Sequence, residues 1–265
     1  MLERFFTRMG ARVRFDDRGP RPNLFGFRRG ASGNITFDVE RDKKGEYFLI
    51  RHRPDPATEV MVLDVQPADR HLLLMTRSGN RKHRFLMGHD ERHWFVAGIP
   101  EATPVSRVQD AKRALKPAAV LASEQGLRSK LRDRRRNPAR IRQGEWFFVP
   151  RPNAPVHGGL ILRNEPLLRS GGGKPHVCDE LCRYGGKTVY VMRGGRALSE
   201  REYEALSDEE RRRSNWRVMR RDPKVYVRGR VRHSDHKTVV LNGWHEVFTN
   251  TEHLSAAMRN VVFLD

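Results

Sequence analysis

The sequence predicts an α+β, β-rich protein: an antiparallel meander, then an Arg-rich helical connector, then a second β-rich lobe. Three observations carry this. Apolar residues recur with period two over 35–99 and again over much of 143–265. Gly- and Asn-containing turn signals separate these runs. A stretch rich in Ala, Leu and Arg, without that alternation, lies between the two.

Four segments follow in order. Residues 1–34 carry many arginines with Gly19-Pro20, Pro22 and Gly30, and read as a basic N-terminal arm that orders on binding or packs along the first sheet. Its phenylalanines Phe5, Phe6, Phe15, Phe25 and Phe27 call for a pocket or a stacking partner. Residues 35–100 form the meander. ITFDVER and EYFLIRH flank a turn ending at Gly45, HLLLMTR and RKHRFLM flank Ser78-Gly79-Asn80, and HWFVAGI closes the set. Residues 101–142 form the connector. One helix is expected from a Thr103 cap to Leu115, and a second over 118–136.

Residues 143–265 form the second lobe, with EWFFV as a buried strand, a loop over 151–175, and KTVYVMR as a further strand. Ser199 with Glu202, and Ser207 with Glu210, are capping boxes that start two short helices. KVYVRGRVR, KTVVL and WHEVFT end the chain as strands, with a turn expected at His233 to His236 and another at Asn242-Gly243.

The 265 residues suffice to bury roughly 70–75% of the unfolded surface without staples. No run approaches the ~20 apolar residues of a membrane helix. Lys and Arg number 52 against 32 acids, a net charge of +20. A surplus of this size repels itself in the folded state and is answered by a polyanion. Nucleic acid is therefore the expected partner, RNA ahead of DNA, with this chain as the protein part of a ribonucleoprotein. Eight cations fall between 128 and 142 against the single acid Asp133. Arg128, Lys130, Arg132, Arg134, Arg135, Arg136, Arg140 and Arg142 are the candidate phosphate contacts, since guanidinium grips phosphate bidentately. Arginines beside Trp216 and Tyr226 suggest surfaces on which RNA bases stack.

Cys178 and Cys182 are the only cysteines, which indicates reduced thiols and a cytoplasmic protein. If Cys178 opens a helical turn, both thiols share a face with His176 just upstream. One structural zinc could then be held, its fourth ligand drawn from His157, His233, Asp235 or His236. The bland alternative is two thiols buried as small apolar groups and no cofactor. His233, Asp235 and His236 could instead serve a metal-dependent nuclease or other nucleic-acid-processing hydrolase as general base or metal ligands. The expected pairing around Asn242-Gly243 keeps His236 and His245 too far apart to share a metal, so binding rather than catalysis is the leading reading. His89-Asp90-Glu91-Arg92-His93 lacks the spacing of a zinc protease and reads as a polar turn between strands.

Overall fold

The computed structural model describes residues 2–18, 31–32, 35–53, 55–157, 159–168, 174–192, 194–195 and 197–256. The chain opens with helix α1 (Glu3–Arg8) and strand β1 (Val13–Asp16). β1 runs parallel to β4 (Gly45–His52), which pairs with β3 (Ile35–Asp42), followed by β2 (Ala31–Ser32) at the edge. The start of the expected basic arm is thus a built element. Phe6 and Met9, one helical turn apart on α1, are buried with Ala11 in the first core. Phe25 and Phe27 lie outside the described residues.

The single meander expected over 35–99 is two sheets. β5 (Thr58–Gln66), β6 (His71–Ser78), β7 (Arg81–Asp90) and β8 (His93–Ile99) pair in that order as a second antiparallel sheet. The division falls at Pro54 and Pro56, which cannot donate to a ladder. Both faces of the second sheet are covered, which accounts for the unbroken apolar run HLLLM. Leu72 and Leu74 meet Phe37, Phe48 and Ile50 of the first sheet. Leu73, on the opposite face, packs with Leu86 and Ile99 against Val108 and Ala111 of α2 (Val108–Ala114). That helix starts later than the sequence suggests, because Asp64 supplies the cap from a distant strand: the Val108 N–H donates to Asp64 Oδ2 at 2.8 Å.

His71 carries a testable consequence of this packing. Its ring lies over Gly88, where an added Cβ would sit 2.5 Å away. Burial, with repulsion from Lys112, lowers its pKa from 6.5 to about 4. Between those values the unfolded chain binds the proton and the native state does not, so His71 contributes stability above pH 6.5 that is lost as pH falls towards 4. The loss is at most ~1.4 kcal/mol per pH unit. Urea midpoints between pH 7 and 4 should fall more steeply for the parent than for His71→Gln. Parallel declines would refute the assignment.

The helix expected over 118–136 is broken at Gln125-Gly126 into α3 (Ala118–Ser123) and α4 (Ser129–Arg132). Two short strands, β9 (Arg136–Asn137) and β10 (Arg140–Gln143), follow, and then β11 (Trp146–Pro150). β12 (Ile161–Leu167) forms inside the segment expected to be a loop. It is an edge strand, where Pro166 is tolerated and little apolar patterning is needed. β13 (His176–Tyr184) precedes an inserted unit of β14 (Lys187–Met192), β15 (Ala197–Ser199), α5 (Glu200–Glu204), α6 (Asp208–Arg213) and β16 (Trp216–Arg221). Both expected capping boxes are formed there. β17 (Lys224–Arg232) and β18 (Val239–Thr249) complete a seven-stranded sheet ordered β12-β13-β17-β18-β11-β10-β9.

Asn242-Gly243 does not turn a hairpin. β18 runs straight through it, because β17 is long enough to pair with both halves. Val227 pairs with His245 and Gly229 with Leu241, so Arg228 alone opposes Asn242, Gly243 and Trp244. The pair is a bulge, with Gly243 at φ +81°. The turn expected at His233 to His236 does form, between Arg232 and Val239. Among the described residues no helix is long and apolar enough to cross a membrane.

Candidate nucleic-acid interface

The 128–142 run is not a solvated helix face. Its arginines divide into two sets. Arg140 is buried and donates from Nε to Glu124 at 2.7 Å and from Nη2 to the Arg132 carbonyl at 2.7 Å. Lys116 donates to the other Glu124 oxygen at 2.9 Å and to the Arg132 carbonyl at 2.8 Å. Asn137 also donates to Glu124, at 3.2 Å. A buried carboxylate between two buried cations therefore organises the segment. Burial lowers the Arg140 pKa while Glu124 raises it, the net shift being downward.

Three more members of the run are occupied. Arg132 donates from Nε to the Leu127 carbonyl at 2.8 Å. Arg135 forms ion pairs with both Asp90 and Glu91, at the β7–β8 turn. Arg142 reaches Asp90 at 3.5 Å and the Gly144 carbonyl at 2.7 Å. The acids missing locally are supplied from a hairpin far away in the chain, and no sequence pattern signals this.

Arg128, Lys130, Arg134 and Arg136 remain. All four are exposed, and none makes an ion pair among the described residues. Arg136 touches only the Val240 carbonyl, at 3.2 Å. They project from a segment that the buried Glu124 network holds in place.

The Arg–aromatic surfaces expected elsewhere are spoken for. Arg228 lies over the Trp244 ring at 4.8 Å and also pairs with Glu180, while Arg230 and Arg232 pair with Asp179. Trp216 meets Tyr203 edge-on at 5.6 Å, and Tyr203 stacks on Tyr190 at 3.7 Å.

The cysteine-based metal set does not assemble. Residues 178–182 lie in strand β13 rather than a helical turn. A register shift between Cys178 and Glu180 sends the two thiols to different cores. Cys178 packs with Trp146 and Leu181, and Cys182 with Ala154, Val156 and Tyr226. Burial pushes the Cys178 thiol up to about 12, which suits an inert apolar group. His157 is exposed at a turn outside any metal-capable group among the described residues.

His233 and His236 are instead gathered with His176. The Asp235 carboxylate binds Lys174 at 2.7 Å and the Ser234 hydroxyl at 3.1 Å. Its backbone N–H, not its carboxylate, meets His233 Nδ1, so Asp235 and His233 do not form an acid–imidazole dyad. The His89–His93 segment turns β7 into β8, as its spacing suggests. Comparison with known family models, curated proteins and solved structures finds nothing that matches this chain.

Proposed function

We propose that this chain binds nucleic acid, RNA ahead of DNA, as the cytoplasmic protein part of a ribonucleoprotein, and that Arg128, Lys130, Arg134 and Arg136 contact backbone phosphates. The observation that carries the reading is this set of four exposed cations without carboxylate partners on a segment braced by a buried ion network. Bracing matters because an ordered cation loses little freedom on binding. The net charge of +20 supports the same class of partner. Arg135, Arg140 and Arg142 brace the segment rather than touch the ligand. With Trp216 and Trp244 engaged inside the protein, the surface reads phosphate rather than base, and its binding will be indifferent to sequence.

The test is a quadruple Ala variant of the four exposed cations, titrated against labelled RNA and DNA, single- and double-stranded, over a range of salt. The parent's affinity should fall steeply with salt, and the slope should drop by about one for each contact removed. An unchanged affinity and slope on every probe would sink the proposal, as would a parent that binds none of them.

A further inference from the structure

The turn between β17 and β18 folds His233 and His236 onto His176, which begins β13. Ring centroids are 4.1 Å apart for His176–His233, 4.7 Å for His233–His236 and 5.7 Å for His176–His236. One ligand nitrogen from each ring lies within 4.8 Å of the other two. Two ring nitrogens here are buried without a hydrogen-bond partner among the described residues, His176 Nε2 and His236 Nδ1. The His176 residue is only 2% exposed. Buried polar atoms of this kind are rare unless something binds them.

A carboxylate lies beside the group, next to one of its three histidines. Glu91 Oε2 lies 3.7 Å from His236 Nδ1. It is delivered by the β7–β8 turn, where Glu91 holds φ +50°, a strained conformation for a residue with a side chain. The Lys237 N–H fixes the same oxygen at 2.8 Å. A tetrahedral zinc bonded to nitrogen at ~2.0–2.1 Å holds its ligand atoms ~3.3 Å apart, which small side-chain rotations reach from this geometry.

We infer that His176, His233, His236 and Glu91 form a binding site for one divalent transition-metal ion of the zinc class. His176 binds through Nε2, and His236 through Nδ1. His233 binds through Nδ1, exchanging the 3.1 Å bond from the Asp235 N–H for the metal. Its Nε2–H stays on the Lys174 carbonyl at 3.1 Å, which sets the tautomer a metal-bound imidazole needs. With the Glu91 carboxylate rotated in beside the three histidines, four protein ligands make a closed structural site. The ion joins Glu91 of the β7–β8 hairpin to His236 in the β17–β18 turn of the seven-stranded sheet, 145 positions apart in sequence, and the two cysteines take no part. This site is independent of the phosphate-binding reading.

Tag-free full-length protein, stripped with chelator, is titrated with cobalt(II) and with zinc. The expected result is one equivalent bound, with visible d–d absorption and no thiolate charge-transfer band in the near ultraviolet. Outer-shell partners alone are worth about 10–100-fold in metal affinity. His236→Asn and His233→Asn should therefore each weaken binding more than tenfold, whereas Cys178→Ala and His157→Asn leave it unchanged. His233 sits on a partly exposed turn, so its variant serves even where a change at buried His176 prevents folding. Less than about one-tenth of an equivalent bound, a thiolate band, or full affinity in the His233→Asn/His236→Asn double variant would each overturn the site.

Discussion

Glu124→Ala will cost ~3–5 kcal/mol of stability, because it strands two buried cations. The Glu124 side chain is 2% exposed, Arg140 1% and Lys116 7%. Removing the carboxylate leaves both positive charges out of water with only carbonyl oxygens and the partly exposed Asp133 nearby. For a chain of this length that corresponds to a melting temperature lower by roughly 10 °C. The check is a urea titration in which the midpoint falls while the slope is unchanged. Replacing Lys116, Glu124 and Arg140 together with Met, Leu and Met should cost less than the single change, since an apolar trio leaves no unpaired charge. A drop below ~1 kcal/mol for Glu124→Ala would mean that the network is solvated and braces nothing.

Phe6→Ala should cost about as much, ~3–5 kcal/mol, by opening a cavity in the first core. Phe6 packs on Phe48 with ring centroids 5.3 Å apart, and Phe48 meets Trp94 at 5.3 Å. Phe15, 54% exposed on β1, is the control, and its alanine variant should change stability by less than ~0.5 kcal/mol. Equal effects at the two positions would show that α1 does not dock as described.

These two sites differ in how far sequence reasoning reaches them. The paired turns at Gly45 and Gly79, the capping boxes at Ser199 and Ser207, and the buried EWFFV strand were all legible, because each rests on contacts between near neighbours. Residues 242–243 show the limit. Asn-Gly favours a turn locally, but whether a turn forms depends on which strand lies alongside, and β17 decides that from elsewhere. β12 escaped notice because an edge strand needs no alternating pattern. Cys178 and Cys182 lie in a strand rather than a helical turn, and the bulge at Asp179 then parts their faces, since one extra residue reverses every side chain after it. Half of the Arg run is engaged within the protein, which the local sequence does not reveal. Its counter-charges, Asp90 and Glu91, sit in what looked like a polar turn of no consequence. The turn at His233 to His236 is legible, but that it folds onto His176 depends on β13 pairing with β17, a contact between distant segments.

The order of strands in the large sheet also governs how the chain can be assembled during synthesis. β18, made after every other strand of that sheet, lies in its interior between β17 and β11. Until it emerges from the ribosome, β9–β11 and β12–β17 are two unjoined halves, each with an open edge. Such edges are templates for pairing with other chains. A nascent chain stalled before Val239 therefore carries two adhesive surfaces until the last strand zips them shut.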